Sequence, residues 1–226
     1  MDRARIAELL QPFLSSVPTP RHSEPAKAGE EAAVLSSAQL QSISTYIDIL
    51  LRWNARINLT AVRDAEEIVT RHFGESLFAA RCLFPPEQRP VVRVADLGSG
   101  AGFPGLPTKL WAPDISLTLI ESNHKKATFL REVVRALRLN DVKIENARAE
   151  SLPPSSFDVM TLRAVERFAA TLPIAAELLS PGGRFALLIS SSQVNTARAI
   201  LPALVWEPPI PIPASQSREL LLGKLR

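Results

Sequence analysis

Four of the nine glycines in this 226-residue chain lie in one short stretch, ADLGSGAGFPGLP, between Ala95 and Pro107. Glycine allows left-handed turns and lets a ligand approach the main chain closely, but it weakens regular structure. Alternating glycines therefore indicate a site where something lies against the backbone. The part from Gly100 to Gly105 matches G-x-G-x-x-G, which is typical of a dinucleotide-binding turn between a strand and a helix.

The residues around these glycines favour a cationic ligand over a pyrophosphate. Asp96 stands just before the first glycine, Gly98, where its carboxylate would repel a phosphate. Pro104 and Pro107 remove backbone N–H groups that a phosphate would need. A ligand with a positive sulfonium and an α-amino group has the opposite requirement, and S-adenosylmethionine is such a ligand. The alternative, a purely structural turn, leaves the alternation of glycines without a reason.

Two acidic residues follow the next two predicted strands. Glu121 ends the stretch SLTLIE, where an acidic side chain can accept hydrogen bonds from both ribose hydroxyls of a nucleoside. Ala149 and Glu150 come after the following strand and are placed to frame an adenine ring. The alternative for either carboxylate is a solvated surface charge, and this alternative applies more readily to Glu150.

Arg163 ends the predicted strand FDVMTLR. Open parallel sheets bind ligands in the crevice beyond the carboxyl ends of their strands, so this position predicts a side chain in the active site. A salt bridge to Glu150 or Glu166 is the alternative. The three histidines are scattered and no cluster has metal-ligand spacing, so no metal is expected.

The first part of the chain reads as helical. The pattern SSAQ at Ser36–Gln39 resembles a capping box, and apolar residues at helical spacing follow it to about Trp53. A second helix is predicted to begin near Asp64. Residues 15–35, which contain three prolines, read as a loop, and FPPEQRP at Phe84–Pro90 reads as a boundary.

Beyond this boundary, strands and helices alternate. The stretches VVRVADL, SLTLIES, VKIENARAE, FDVMTLRAV and RFALLIS read as strands, and ELLLGKL as a last one. The alternation predicts a parallel sheet with helices on both faces. One helix is predicted near Gly105–Trp111, and another over ATLPIAAELL with a stop at Pro181-Gly182-Gly183. We therefore predict a helical extension at residues 1–88 and an α/β core at residues 89–226.

Composition indicates a globular protein that is compatible with nucleic acid. Hydrophobic residues make up 46% of the chain, and 20 arginines against 6 lysines dominate its basic residues. Arginine's planar fork suits phosphates and base edges, although a GC-rich genome would also favour arginine and proline. A single cysteine, no export signal and no membrane-spanning run predict the cytoplasm.

The upstream segment RWNARINLTAVRD, taken together with the turn GFPGLP, resembles the bacterial rRNA small subunit methyltransferase G family, also called glucose-inhibited division protein B. The resemblance covers roughly Leu40–Ile189 and resumes near Arg218. It implies a class I, Rossmann-like methyltransferase with a mostly parallel seven-stranded sheet. It also implies methyl transfer from S-adenosylmethionine to N7 of a guanine in 16S rRNA, with S-adenosylhomocysteine as the product.

The prediction of individual site residues uses both the residue pattern and this family resemblance. The predicted cofactor-binding residues are Asp96, Gly98, Gly100, Phe103, Glu121, Ala149, Glu150 and Arg163. The predicted RNA-binding residues are Lys125, Arg148, Arg163 and Arg218, with Arg163 as the catalytic residue that orients the guanine. The chain departs from the family at Ile189-Ser190-Ser191, where Lys-Gly is frequent, and at Glu75-Ser76, where Asp-Ser is frequent.

The chemistry of this reaction agrees with the residues. Guanine N7 already carries a free lone pair, so positioning and electrostatics can suffice without a general base. The partner implied is 16S rRNA or the small ribosomal subunit, with no membrane and no obligate protein partner. Two alternatives stay open: a methyltransferase of the same fold that acts on a small molecule or protein, and a non-catalytic nucleotide- or RNA-binding protein.

Overall fold

The computed structural model describes residues 1–15, 34–85, 91–165 and 167–226. Most of the loop predicted at 15–35 and the predicted division between residues 88 and 89 lie outside these ranges. No helix within them is long and apolar enough to cross a membrane.

The N-terminal part is helical, as predicted. Its elements are α1 (Arg3–Leu14), α2 (Ser37–Asn54), α3 (Ala65–Glu67), a π-helix (Ile68–Gly74) and α4 (Glu75–Leu83). The predicted capping box is confirmed, because the Ser36 hydroxyl accepts from the Gln39 N–H and the Gln39 side chain accepts from the Ser36 N–H. Asp64 caps α3 by accepting from the Glu67 N–H, which confirms the predicted helix start.

Eight strands of the described chain form one sheet. They are β1 (Arg93–Leu97), β2 (Ser116–Ile120), β3 (Val142–Glu145), β4 (Phe157–Arg163), β5 (Leu179–Ser190), β6 (Leu204–Trp206), β7 (Ile210–Pro211) and β8 (Arg218–Leu225). Seven run in the order β3-β2-β1-β4-β5-β8-β6, and the two-residue β7 pairs with β8. β1 to β5 pair in parallel and β8 is antiparallel to its neighbours, which confirms the predicted mostly parallel sheet.

Helices connect the parallel strands. They are α5 (Gly105–Trp111), α6 (His124–Ala136), α7 (Phe168–Glu177) and α8 (Ser191–Ile200), with a 3-10 turn at Ala149–Ser151. The predicted stop of α7 at Pro181-Gly182-Gly183 is wrong, because α7 ends at Glu177 and these residues belong to β5. The β4–β5 register shifts between Phe157 and Val159, and this irregularity accommodates the proline and glycines.

Two apolar clusters cover the two faces of the sheet. One combines α1, α2 and α4 with β1, β2, α5 and α6, so the N-terminal helices share a continuous core with the sheet. The other packs α7 and α8 against β4 and β5. The carboxyl ends of β1 to β5 meet at one edge between these layers, and pairing of Arg218 with Ser190 brings the start of β8 to the same edge.

Candidate active site

A cavity of about 990 Å³ opens at this edge of the sheet. Nine of the residues predicted for the site line it: Gly98, Gly100, Phe103, Glu121, Arg148, Ala149, Glu150, Arg163 and Arg218. Asp96 and Lys125 do not line it, whereas Lys126, Arg71 and His72 do. Nine of the eleven predicted residues therefore share one cavity, and their roles in binding cofactor or RNA stay predictions.

The glycine turn presents bare backbone to the cavity. Gly98, Gly100 and Gly102 adopt left-handed conformations with φ of +68°, +55° and +85°. A side chain added at Gly100 would meet only the Gly98 carbonyl oxygen, at 3.7 Å, so this position is open to a ligand. One added at Gly105 would lie 2.8 Å from the Asp96 Cβ, so that glycine instead permits close packing.

The prediction that Asp96 contacts the ligand needs correction. Asp96 is 1% exposed, accepts from the Thr161 hydroxyl at 2.8 Å and from the Gly105 N–H at 3.2 Å, and does not line the cavity. Burial raises the pKa of the Asp96 carboxyl to about 7, against the effect of these hydrogen bonds. Asp96 therefore links β1, β4 and the start of α5 by hydrogen bonds, and it supports the glycine turn without lining the cavity.

Glu121 fixes the turn from the cavity side. Its Oε2 accepts from the Gly100 N–H at 2.9 Å, and its Oε1 accepts from the Asn123 N–H at 2.7 Å. Each carboxylate oxygen has a second lone pair, so the group can still accept from a ligand hydroxyl. Ala149 is buried on the cavity wall and Glu150 beside it is exposed.

Phe103 links the glycine turn to the N-terminal helices. Its ring stacks on Tyr46 from α2 at a centroid distance of 5.3 Å and on His72 from the π-helix at 4.9 Å. The Tyr46 hydroxyl also donates to the Ala101 carbonyl oxygen, inside the turn. The N-terminal helices thus hold the turn in place.

Arg163 lies at the cavity, but its partner is not one of the acids considered from the sequence. Its Nη2 donates to the Glu75 Oε2 at 3.0 Å and to the Arg71 carbonyl oxygen at 2.6 Å, and its Nη1 donates to the His72 Nδ1 at 2.9 Å. A pairing with Glu150 is therefore not observed, and Glu166 lies outside the described residues. The side chain is 11% exposed, and burial lowers its pKa.

Glu75 joins two arginines. Its Oε1 forms an ion pair with the Arg218 Nη2 at 2.5 Å, and its Oε2 accepts from the Arg163 Nη2. Burial raises the pKa of Glu75, and the two guanidinium groups oppose that shift. Because two cations share one carboxylate, the cluster of Arg163, Glu75 and Arg218 carries an excess of positive charge at the cavity wall.

His72 is a neutral member of this site. Burial and the neighbouring Arg163 lower its pKa to about 3. Arginine can only donate, so the Nδ1 that faces Arg163 must accept, and the proton resides on Nε2. That N–H donates to the Thr60 Oγ1 at 2.8 Å.

The sequence interpretation missed His72 and Glu75, and it considered Lys126 for RNA binding only as a neighbour of Lys125. Glu75 comes three residues after His72 and four after Arg71, so helical spacing could have signalled that Glu75 lies near both. Their role depends on contacts with β4 and β8, which no local pattern reveals. Lys125 is exposed beside the cavity, and Lys126, the next residue, lines it.

The cavity residues fit S-adenosylmethionine. The open backbone at Gly100 can receive the methionine part, the Glu121 carboxylate lies where a ribose would follow, and buried Ala149 offers an apolar wall to the adenine. Within the described residues, no group of three or more His, Cys, Asp or Glu could hold a metal ion. Cys82 does not line the cavity, and burial raises the pKa of its thiol to about 12.

A parallel sheet with this turn after β1 and this cavity defines a class I, S-adenosylmethionine-dependent methyltransferase. The fold is similar to that of the ribosomal protein L11 methylase from Lactobacillus delbrueckii subsp. bulgaricus, with a TM-score of 0.57, 14% identity and coverage of 69% of this chain and 79% of that one. It is also similar to TYW2 from M. jannaschii in complex with AdoMet, with a TM-score of 0.54, 16% identity and coverage of 75% and 78%.

The chain belongs to the rRNA small subunit methyltransferase G family, whose model matches residues 39–199. It is 38% identical to the ribosomal RNA small subunit methyltransferase G of Halorhodospira halophila, over 84% of this chain and 89% of the relative. It is 40% identical to the protein of the same name from Xanthomonas euvesicatoria, over 69% and 71%.

Proposed function

We propose that this chain transfers a methyl group from S-adenosylmethionine to N7 of a guanine in 16S rRNA. One observation carries the proposal: the positively charged cluster of Arg163, Glu75 and Arg218 lines the same cavity as the glycine turn. Family membership supports rRNA of the small subunit as the substrate. The choice of guanine N7 rests on the family resemblance and on the chemistry below.

Guanine N7 suits a site whose titratable groups are already engaged. The His72 lone pair accepts from Arg163, and both Glu75 oxygens hold arginines, so neither residue is placed to take a proton. N7 needs no deprotonation, because its lone pair is free at neutral pH. The bound cofactor supplies an electrophilic methyl group, and the protein has only to hold the base in line with it.

Arg163 is the residue we propose to orient that base. Among the described residues its Nε–H and one Nη1–H have no partner, so two of its five donors can serve a substrate. The acceptors next to N7 on a guanine are O6 and the backbone phosphates. Its fixed, planar donor set would therefore hold the base by O6, by a phosphate, or by both.

Basic residues around the cavity supply the surface for RNA. Lys126, Arg148 and Arg167 line its rim, with Arg218 deeper inside. The proposed partner is therefore 16S rRNA, free or in the small ribosomal subunit, met in the cytoplasm, and the reaction requires no protein partner or membrane. Arg131 and Arg135 on α6, and Arg138 just after it, are exposed and do not line the cavity, so we propose that they form a solvated face.

The direct test is methylation in vitro. Small subunits from a strain that lacks this gene are incubated with the purified protein and S-adenosylmethionine that carries a labelled methyl group. The rRNA is then digested to nucleosides, and the expected product is labelled 7-methylguanosine. Arg131→Glu is the control for a general change of charge and should remain active. Label in another nucleoside, in ribosomal protein, or in none would overturn the proposal.

A further inference from the structure

The loop after α2 holds Thr60 in one position. The Asn54 Oδ1 accepts from the backbone N–H groups of Leu59 and Thr60, at 3.0 and 3.1 Å. Its Nδ2 donates to the carbonyl oxygens of Thr60 and Val62, at 3.0 and 3.4 Å. One buried amide thus satisfies the backbone of this loop, and the Thr60 side chain lines the cavity.

The hydrogen bonds of the Thr60 hydroxyl have a fixed direction. Its oxygen accepts from the Val62 N–H at 3.1 Å. It also accepts from the His72 Nε2–H at 2.8 Å, since Arg163 occupies the other ring nitrogen as a donor. Both lone pairs of the oxygen are therefore used, and within the described residues nothing accepts its proton. A hydrogen-bond chain from Arg163 through His72 ends in a donor at the cavity.

The acceptor for this donor belongs to the base and not to the nucleoside of the cofactor. Glu121 follows β2 and Glu150 follows β3, on one side of the glycine turn in the sheet order β3-β2-β1-β4-β5-β8. Thr60 is tied through His72 to Arg163, which ends β4 on the other side. The methyl acceptor must approach from that side, where the cationic cluster lies.

We propose that the Thr60 hydroxyl donates to O6 of the guanine and so determines the choice of base. The inference rests on the proposed function. Guanine presents O6, an acceptor, next to N7, whereas adenine presents an N–H donor at the same position. A hydroxyl that can act only as a donor therefore forms a hydrogen bond with guanine. With adenine it would face a second donor, and no hydrogen bond would form. With O6 held by Thr60, the remaining donors of Arg163 serve a backbone phosphate, the other acceptor proposed for them.

The test compares variants on two substrates. Small subunits are reconstituted with 16S rRNA that carries either guanine or 2-aminopurine, which keeps N7 and lacks O6, at the methylated position. For the wild type and Thr60→Ser, loss of O6 should lower kcat/KM by at least about tenfold. For Thr60→Val, activity on guanine should already be low, and loss of O6 should cost less than about threefold. Thr60→Cys, a poor donor of similar size, replaces Thr60→Val if valine prevents folding.

The outcomes separate this inference from the proposed function. The role of Thr60 would be overturned if loss of O6 lowered kcat/KM by the same factor in all variants. It would also be overturned if Thr60→Val weakened the affinity for S-adenosylhomocysteine while loss of O6 cost as much as in the wild type. If the wild type forms no 7-methylguanosine on the guanine substrate, the proposed function itself fails.

Discussion

Arg163 and Arg218 reach one carboxylate from two strands of the sheet, and the chemistry of the site depends on that arrangement. Both guanidinium groups are directed by Glu75, which is buried, accepts a hydrogen bond from Arg163 and forms an ion pair with Arg218. Arg163 is held further by His72 and by the Arg71 carbonyl oxygen, so its remaining donors point in a fixed direction. Such preorganisation lets a side chain orient a substrate without further loss of freedom.

Arg163→Lys should remove this planar donor set while keeping the charge. We expect kcat/KM for methylation of small subunits to fall by about 100-fold or more. If Arg163 orients only the base, the affinity for S-adenosylhomocysteine, measured by calorimetry, should change by less than about threefold; a larger loss would favour the cofactor contact that was also predicted for Arg163. Arg184→Lys, on β5 and away from the cavity, is the matched control. Full activity of Arg163→Lys would refute the orienting role.

Glu75→Gln should leave two arginines without their shared counter-ion. Removing one member of a buried ion pair lowers the free energy of unfolding by about 3 kcal/mol. We expect that loss in urea denaturation, together with at least about a tenfold fall in methylation, since both guanidinium groups lose direction. Glu75→Asp keeps the charge and should retain more activity than Glu75→Gln. Equal activity of the two variants would show that the charge of Glu75 is unimportant.

His72 should make the free energy of unfolding depend on pH. Its pKa is about 3 in the folded chain and near 6.5 when unfolded, so between these values the unfolded state binds more protons. Its contribution is complete above about pH 6.5 and is lost as the pH falls towards 3, by about 2 kcal/mol at pH 5. Asp96, whose pKa is raised to about 7, gains stability over the same range, so the effect of His72 is measured as a difference between variants. From pH 7.5 to pH 5 in urea denaturation, the wild type and His124→Gln should each lose about 2 kcal/mol more than His72→Gln. A loss of the same size in His72→Gln would contradict the assignment.

At the scale of the elements, the glycine turn depends on helices that precede it by many residues. The Tyr46 ring from α2 and the His72 ring from the π-helix lie on Phe103, and the Tyr46 hydroxyl meets the Ala101 carbonyl oxygen. A side chain at Gly102 would collide with that hydroxyl and lie 2.7 Å from the Leu106 Cδ1. The turn can therefore keep its shape only with glycine at this position.

Gly102→Ala should weaken cofactor binding through this contact. We expect the affinity for S-adenosylhomocysteine to fall by at least about tenfold, together with a lower melting temperature. Gly182→Ala is the matched control, because Gly182 has a left-handed φ of +73° and no atom within 4 Å of an added side chain. Gly182→Ala should lower the free energy of unfolding only by the backbone strain, about 1 kcal/mol, and leave the affinity for S-adenosylhomocysteine unchanged. Comparable binding by both variants would contradict the role of the α2 contact.

The elements also show what can be predicted from the sequence. Strand alternation predicts the parallel sheet and places Gly98, Glu121 and Arg163 at one edge, since each follows or ends a strand. Asp96 was placed at the correct strand end, but its inward orientation depends on Thr161, from a strand later in the chain. Glu75 could not be assigned, because its partners are 88 and more residues away in sequence and no local pattern brings them together.

For the whole molecule, the N-terminal helices are part of the core that supports the site. Tyr46 and Phe73 are fully buried in the same cluster as Phe103 and Phe129. A fragment of residues 89–226 would expose that apolar surface to water. We expect it to show no cooperative thermal transition and no binding of S-adenosylhomocysteine by calorimetry, whereas the full chain shows both. A fragment that folds and binds would establish residues 89–226 as an independent domain.

The most direct measurement of the central claim is the 7-methylguanosine content of 16S rRNA from cells with and without this gene. We predict that deletion removes one 7-methylguanosine, that the wild-type gene restores it, and that the Arg163→Lys gene restores little of it. An unchanged 7-methylguanosine content after deletion would contradict the account.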